Sequence, residues 1–498
     1  MRLFITILFL TTALIVKTSA YSREQADSIL SRRGEVVISF DVSDPLQIQA
    51  FTHEMSITKV TGKAIVAYLN KQQFSNFLEK NIPYTLHFPT KTLSSKQKST
   101  HNPWNWDSYP TYKQYLSMMD SFARAYPAIC KLEEIGQSVN GRKILALKIS
   151  DSAAVEQNKK EFLYTSTIHG NETTGFILLL RLIDYILRNY NTNPDIQDLV
   201  NNLQIYINPV SNPDGLFRVK DSVTYESTRN NAQGIDLNRN FPDPVDGNHP
   251  DENIYATENL AMMAFLEKHH FALSANLHDG AEVVNYPWDT YSSDSLSQFN
   301  INNASPDSAF FIKISKQYAD TAQFYGTNSY FRSFNNTGYI QGNRWYVITG
   351  GRQDYVTHFL EGKEVTIELR NEVSYVVNIT PESMLNNLWE YNYRSLLNFI
   401  KATHSAPVMN KNTGINRHTL ANGNIRLINK RTYLEVHCKT PTQETFIVDF
   451  ISASGQIAYS TKILLEGSTS LSVPENLKGL YLIRLRNLHT QYTQKVLF

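Results

Sequence analysis

Apolar runs in the central part of the chain alternate with stretches of helical periodicity. The strand-like runs are Lys143–Ile149, Glu161–Ile168, Leu203–Val210, Phe271–His278 and Val365–Leu369. The helical stretches are Tyr112–Tyr126, Thr173–Tyr190 and Leu385–Thr403. Strands that alternate with helices bury their apolar faces best in a layered α/β fold. The pattern therefore predicts a mixed, mostly parallel, twisted sheet with helices on both faces.

A smaller α/β pattern precedes this central part. Residues 21–89 contain strand-like Glu35–Val42 and Tyr84–Phe88, a further strand within Ile57–Leu69, and helical spacing over Gln72–Lys80. This part carries no catalytic constellation. Two interpretations follow: a propeptide or folding aid, or a permanent packing domain.

The last part of the chain contains only strand and turn patterns. Short apolar segments separated by turn residues between 425 and 498 predict a small β-sandwich. The predicted organisation is a signal peptide at 1–20, the small α/β domain at 21–89, a linker at 90–103, the central domain at 104–404, a linker at 405–424 and the sandwich at 425–498.

The first twenty residues have the features of an export signal. Arg2 is followed by the mostly apolar stretch Leu3–Val16, which is too short to span a bilayer comfortably, and small residues end the segment at Ala20. No other stretch is predicted to cross a membrane. A disulfide between the only two cysteines, Cys130 and Cys438, is disfavoured because they fall in different predicted domains. The lysines of the 90–103 linker, at 91, 96 and 98, are predicted to be open to trypsin-like cleavage.

Composition and charge exclude some functions. The 498 residues are 42% hydrophobic and 19% charged, as in a soluble globular protein. The net charge is +1, from 47 basic and 46 acidic residues, which does not favour binding to nucleic acid or an acidic membrane.

Candidate metal ligands follow two of the predicted strands. His169 and Glu172 lie in the turn between a strand and a long helix, and His278 ends the apolar strand that begins at Phe271. Ligands in open α/β sheets bind at the carboxyl ends of strands. Two histidines and one glutamate suit zinc and leave a fourth position open for water, as catalytic zinc requires. Taken alone, His169 and Glu172 also fit a helix start, and His278 fits a polar strand end.

Two further segments carry candidate chemistry. In the polar loop Arg229–Asp243, the guanidinium of Arg239 beside the amide of Asn238 can bind a carboxylate through parallel hydrogen bonds, and Arg229 can stabilise charge on a carbonyl oxygen. Glu368 lies among aliphatic residues, where desolvation raises a carboxyl pKa and suits a general base. The alternative for Glu368 is an outward-facing residue on an exposed strand face.

Six motifs in one order give a specific resemblance. They are His169-Gly-Asn-Glu172, Asn212-Pro-Asp-Gly215, Arg229 through Asp243, Ser274-Ala-Asn-Leu-His278, Gly350-Gly-Arg-Gln-Asp-Tyr355 and Thr366-Ile-Glu-Leu369. Together they resemble the zinc metallocarboxypeptidase family, closest to its regulatory branch of carboxypeptidases N, E, D and M.

The resemblance implies a role for each matching residue. His169, Glu172 and His278 bind one Zn²⁺, and Asp236 orients His169. Glu368 is the base and Arg229 polarises the scissile carbonyl. The residues implied to hold the substrate's terminal carboxylate are Asn238, Arg239 and the mobile Tyr346.

Specificity depends on the residues around Gln353. The resemblance places Gln353 at the floor of the substrate pocket and implies a preference for C-terminal Lys or Arg. Two residues depart from the regulatory branch: Arg352 replaces Met, and Asp279 replaces Gly. If Arg352 points into the pocket, it repels basic side chains; if it points away, Asp279 or another acid can assist cation binding.

The tail, from Gly455 to Phe498, resembles the C-terminal sorting domain of bacterial type IX secretion. That resemblance implies a secretion machinery as a partner and export through the periplasm and outer membrane to the exterior or cell surface. A transthyretin-like β-domain is the rival interpretation of the same segment.

The sequence therefore predicts a secreted zinc carboxypeptidase that acts on the C-termini of peptides and proteins. Two alternatives stay open: a carboxypeptidase of cell-wall peptides, and a catalytically silent carboxypeptidase-like binding protein.

Overall fold

The structure is a computed structural model. It describes residues 23–407 apart from 45–46, 89–101, 223, 248–253, 291–306, 373, 375 and 377, and it describes 418–419, 425–429, 433–438, 444–452, 456–465, 468–474, 477, 480–486 and 490–497. The predicted signal peptide at 1–20 lies outside the described residues, as do most of the linkers predicted at 90–103 and 405–424. The chain divides into two compact units, Met1–Val408 and Met409–Phe498.

The first unit begins with a four-stranded antiparallel sheet. Helix α1 spans residues 23–33. The other elements are β1 (Glu35–Asp41), α2 (Gln47–Glu54), β2 (Ser56–Thr61), β3 (Ala64–Asn70), α3 (Lys71–Glu79) and β4 (Tyr84–His87), with strand order β2-β3-β1-β4. The segment Ile57–Leu69 supplies two strands rather than one, because the chain turns at Gly62, whose φ of +61° suits glycine.

The central sheet has eight strands. They are β5 (Cys130–Gln137), β6 (Lys143–Ile149), β7 (Lys160–Ser166), β8 (Leu203–Asn208), β9 (Phe271–Gly280), β10 (Glu282–Tyr286), β11 (Tyr339–Gln341) and β12 (Glu364–Asn371), in the order β11-β10-β12-β9-β7-β8-β6-β5. The pairs β12–β9, β9–β7, β7–β8 and β10–β11 are parallel, and the other three pairs are antiparallel. The predicted mixed α/β sheet is confirmed.

Helices cover both faces of this sheet because apolar side chains alternate between two cores. Phe162 and Tyr164 on β7 belong to the larger core, whereas Leu163 between them belongs to the smaller one. The helices of the larger core are α4 (Tyr112–Ala125), α5 (Thr174–Asn189), α6 (Pro194–Asn202), α8 (Ser308–Tyr325) and α9 (Leu385–Ala402). Helix α7 (Thr257–Lys268) packs on the smaller core.

The second unit contains two sheets that share one core. The strands are β13 (His418–Thr419), β14 (Ile425–Asn429), β15 (Tyr433–Cys438), β16 (Glu444–Ile451), β17 (Ile457–Leu465), β18 (Ser468–Ser472), β19 (Leu480–Arg486) and β20 (Thr490–Leu497). The sheet orders are β13-β20-β19-β16-β17 and β14-β15-β18, and apolar side chains from both sheets form one core. A small sandwich is the architecture shared by both interpretations of the tail.

Candidate active site

Three buried side chains converge where β7 and β9 end. His169 and Glu172 lie in the turn between β7 and α5, and His278 lies on β9, which continues to Gly280 rather than ending at the histidine. The chain enters the turn at Thr167, whose φ of +54° is rare for a β-branched residue. One ligand atom from each of His169, Glu172 and His278 lies within 4.8 Å of the others.

The carboxylate of Glu172 lies between the two imidazoles. Its Oε1 is 2.9 Å from Nδ1 of His169, and its Oε2 is 2.7 Å from Nδ1 of His278. The other ring nitrogens have their own partners: Nε2 of His169 is 3.0 Å from Asp236 Oδ1, and Nε2 of His278 is 2.8 Å from the Asn276 amide. Partners at both Nε2 atoms fix the rings with Nδ1 facing a common point, as metal-binding histidines require.

The protonation states suit a metal as well. Burial lowers the pKa of His278 to about 4, so this ring is neutral near pH 7 and its nitrogen lone pair is free for a cation. Burial raises the pKa of Glu172, but the two imidazoles outweigh that effect and hold the pKa below its ordinary value. Two imidazoles and one carboxylate match the protein ligands of catalytic zinc, which keeps its fourth position for water.

Glu368 lies beside the metal ligand His278 on the neighbouring strand. It pairs with His278 in the parallel β12–β9 register, and the alternating residues Thr366 and Arg370 on its strand are buried. The Oε2 atom of Glu368 is buried and has no hydrogen-bond partner among the described residues. Burial, reinforced by the charge of Glu172, raises the pKa of Glu368 well above its ordinary value. The alternative of an outward-facing glutamate on an exposed strand is therefore wrong.

Arg229 connects the metal ligands to Asp236. Its Nη1 donates to Glu172 Oε1 at 3.1 Å, and its Nε donates to Asp236 Oδ2 at 3.1 Å. Asp236 therefore serves both His169 and Arg229, and it also caps the short turn Leu237–Arg239 by accepting from the backbone N–H of Asn238 at 2.9 Å.

That short turn carries the predicted carboxylate-binding pair. Arg239 Nη1 donates to the backbone carbonyl of Asn238 at 2.9 Å, and Asn238 Oδ1 accepts from the backbone N–H of Arg352 at 3.0 Å. The predicted Tyr346 lies in the same electrostatic environment: burial raises its pKa to about 12, while the charges of Arg239 and Arg229 oppose the rise.

Arg352 points into the protein and not into open space. Its side chain is fully buried, and its Nε donates to Glu364 Oε1 at 2.8 Å. The positive charge is thus paired inside the sheet. Asp279 also has partners inside the protein. Its Oδ2 accepts a hydrogen bond of 2.9 Å from the backbone N–H of Thr174, the first residue of α5, and it lies 3.8 Å from Arg370.

The acid beside Gln353 is one that the sequence motifs did not single out. Gln353 Nε2 lies 3.5 Å from Asn285 Oδ1, and Asn285 Nδ2 donates to Asp289 Oδ1 at 3.0 Å. Asp289 is 4% exposed and follows the unpredicted strand β10. The sequence signal that could have identified Asp289 is the strand-like run Glu282–Tyr286, which carries the polar Asn285 shortly before it.

The N-terminal sheet covers these groups. Ser56 on β2 accepts from Arg229 Nε at 2.7 Å and donates to Asp236 Oδ2. The adjacent backbone carbonyl of Ile57 accepts from Arg239 Nη2 at 3.0 Å. On β3, the ring of Tyr68 lies 5.4 Å from the guanidinium of Arg229. Two arginines of the candidate site are therefore already bonded to the N-terminal sheet.

Comparison with known proteins identifies the family of this chain. Residues 115–395 match the family model described as zinc carboxypeptidase. Carboxypeptidase D of Homo sapiens is 37% identical over 327 residues, which is 63% of this chain and 22% of that protein. Carboxypeptidase M of Mus musculus is 34% identical over 292 residues, which is 58% of this chain and 64% of that protein. The chain thus matches about a fifth of carboxypeptidase D and under two thirds of carboxypeptidase M.

Solved structures share the fold. Carboxypeptidase A from Helicoverpa armigera superposes with a TM-score of 0.56 at 20% identity, covering 75% of this chain and 98% of that one. Thrombin-activatable fibrinolysis inhibitor gives a TM-score of 0.53 at 19% identity, covering 75% of this chain and 99% of that one. No helix in the described part of the chain is long and apolar enough to cross a bilayer. The family match spans more than half of the 498 residues, and the chain belongs to the zinc carboxypeptidase family.

Proposed function

We propose that this protein is an exported zinc carboxypeptidase that hydrolyses the C-terminal peptide bond of peptides and proteins and releases C-terminal Lys or Arg. The observation that carries the proposal is the register of Glu368 with His278. This register puts Glu368 on the strand next to the metal ligand, and its buried Oε2 has no hydrogen-bond partner among the described residues. A general base beside a metal site is the arrangement that hydrolysis of a peptide bond requires.

Each side chain then has a definite task. His169, Glu172 and His278 would hold one Zn²⁺, which would supply polarisation of the scissile carbonyl and a water molecule of lowered pKa. Glu368 accepts the proton of that water and passes it to the nitrogen of the leaving residue, which completes the hydrolysis. Arg229, held by Asp236, donates to the carbonyl oxygen as negative charge develops there.

Recognition of the chain end falls to a separate group of residues. The guanidinium of Arg239 and the amide of Asn238 bind the terminal carboxylate, and the hydroxyl of Tyr346 closes over it. Because Arg239 binds a carboxylate more strongly than a neutral carbonyl, cleavage is directed to the last peptide bond.

Asp289 supports the preference for basic residues. Asn285 connects Asp289 to Gln353, and the Asp289 carboxyl group is buried. When it is ionised, it offers a Lys or Arg side chain a strong interaction. Arg352 does not oppose this preference, because its charge is paired with Glu364.

The N-terminal domain inhibits the enzyme in the uncut chain, and its removal is required for activity. Ser56 and the Ile57 carbonyl bond to Arg229 and Arg239, the two arginines that a substrate needs. The residues 1–20 direct export, and the C-terminal sandwich serves as the contact with a secretion machinery.

The deciding experiment is release of C-terminal residues from a peptide library by the purified protein, after cleavage between residues 90 and 101. We expect release of Lys and Arg that stops with a chelator and returns with Zn²⁺. Absence of any release in every metal condition excludes the enzyme and leaves a binding protein.

A further inference from the structure

One face of the central sheet carries a column of buried polar side chains below the metal site. On β9 this face presents Ser274, Asn276 and His278, because the intervening Ala275 and Leu277 point to the larger apolar core. Thr165 on β7 and Thr366 on β12 pair with Asn276 in the register of the sheet. Polar residues at successive buried positions are costly unless they bond to one another.

Arg352 makes hydrogen bonds to the side chains at one end of this column. Its guanidinium is fully buried, with Nη1 donating to Thr165 Oγ1 at 2.5 Å and Nε donating to Glu364 Oε1 at 2.8 Å. Glu364 is itself fully buried, and its Oε2 accepts from Ser274 Oγ at 2.8 Å. Thr165 and Ser274 therefore satisfy part of this solvent-free ion pair, whereas Nη2 of Arg352 has no hydrogen-bond partner among the described residues.

From Arg352 the hydrogen bonds run without interruption to a metal ligand. Thr165 Oγ1 donates to Asn276 Oδ1 at 3.0 Å, and the Asn276 amide lies 2.8 Å from Nε2 of His278. With zinc on Nδ1, Nε2 of His278 carries the ring proton and needs an acceptor. The amide of Asn276 would then turn its oxygen to Nε2 and donate through Nδ2 to Thr165 Oγ1, which can accept from both Asn276 and Arg352. Its orientation is set by Thr165, whose hydroxyl is in turn held by Arg352.

The backbone of Arg352 also contacts a residue that we assign to substrate binding. Its N–H donates to Asn238 Oδ1 at 3.0 Å, the amide that we propose binds the substrate carboxylate. Arg352 therefore holds two amides: through Thr165 it holds Asn276, the partner of the metal ligand, and through its backbone it holds Asn238. The regulatory-type motif has Met at this position, and a thioether offers none of these donors.

We propose that Arg352 is a positioning residue, which acts through Thr165 and Asn276 to hold the ring of His278 in the orientation that retains zinc. Partners that orient metal-bound histidines contribute roughly tenfold to a hundredfold in metal affinity. The inference rests on the metal site of the proposed function, although it makes no use of the substrate.

The test compares two hydroxyl deletions in the zinc-loaded full chain, with transfer of zinc to a chromogenic chelator as the readout. Thr165→Val breaks the connection between Arg352 and Asn276. The matched control Ser274→Ala removes an equally buried hydroxyl that, among the described residues, bonds only to Glu364. We expect Thr165→Val to speed zinc release about tenfold or more, and Ser274→Ala to stay within about twofold of the wild type. Equal zinc release by both variants overturns the proposal.

Two further variants separate positioning from folding. Thr165→Ser restores the hydroxyl and is expected to return zinc release to the wild-type rate. The double change Arg352→Met with Glu364→Met leaves no unpaired buried charge and is expected to release zinc about tenfold faster with an unchanged melting temperature. Wild-type zinc release by the double variant, or fast release by Thr165→Ser, contradicts the proposal. Because zinc transfer needs no substrate, these outcomes are independent of whether the protein cleaves peptides.

Discussion

The backbone carbonyl of Ile57 accepts a hydrogen bond of 3.0 Å from Nη2 of Arg239. Ile57 belongs to the N-terminal sheet, and Arg239 is the residue that we assign to the substrate's terminal carboxylate. A carboxylate makes a stronger bond to a guanidinium than a neutral carbonyl does, but the carbonyl is held in place by a folded domain. The N-terminal sheet and the end of a substrate therefore compete for one side chain.

This competition predicts that cutting the chain between the N-terminal and central domains raises activity. A specific protease site placed between residues 90 and 101 allows the cut without damage elsewhere. We expect kcat/KM for hippuryl-Arg to rise at least about tenfold once the domain has dissociated, because even one charged hydrogen bond is worth about 1.5–3 kcal/mol. The measurement is peptide hydrolysis before and after cleavage.

The matched control is the same chain with a scrambled protease site, which is expected to keep its low activity after the same treatment. Full activity in the uncut chain contradicts an inhibitory role and favours a permanent packing domain.

Glu368→Gln is expected to abolish hydrolysis while zinc stays bound. The amide cannot accept the proton of the attacking water, and loss of a general base costs about 10²–10⁴-fold in rate. The substitution leaves His169, Glu172 and His278 in place, so zinc content and melting temperature are expected to match the wild type. Glu134→Gln, at an exposed acid on β5, is the control for changes in charge. If Glu368→Gln keeps its activity, another residue is the general base.

Much of the fold follows from local patterns. Helix α5 begins at Thr174 and ends at Asn189, within a residue of each predicted end, because its apolar face is continuous and buried. The sequence pattern does not predict strand β10, because only Ala281 separates it from β9 and the turn residues Asp279 and Gly280 are themselves part of β9. Helix α8 (Ser308–Tyr325) was not predicted either, although it packs against α9 in the larger core.

Some features of the site can likewise be predicted from local sequence, and others cannot. His169 and Glu172 are three residues apart in one turn, so their proximity can be predicted from sequence alone. The direction of Arg352 cannot, because it depends on contacts with Glu364 on β12 and Thr165 on β7, which only the folded sheet brings together. Asp289 was missed for the same reason: its distance from Gln353 is set by the sheet and not by spacing along the chain.

Asp289→Asn is expected to remove the preference for basic residues. The substitution keeps the shape and the hydrogen-bonding capacity toward Asn285 but removes the negative charge. We expect kcat/KM for hippuryl-Arg to fall about tenfold to a hundredfold, the value of a buried charged hydrogen bond, with little change for hippuryl-Phe. Equal losses for both substrates point to a folding defect, and no loss for hippuryl-Arg places the specificity acid elsewhere.

The charge of Asp289 also predicts a pH dependence of specificity. Burial raises the pKa of Asp289 to about 7, with Asp243 adding to the rise while Asn285 and Arg239 oppose it. A raised carboxyl pKa means that Asp289 is protonated and neutral below that pH, where it attracts a basic side chain weakly, and ionised above it. The ratio of kcat/KM for hippuryl-Arg to that for hippuryl-Phe is therefore expected to rise about tenfold between about pH 6 and about pH 8. Titration of Glu368 and of the metal site affects both substrates and cancels in the ratio. Asp289→Asn is expected to give a flat ratio, and a flat ratio in the wild type rules out Asp289 as the titrating group.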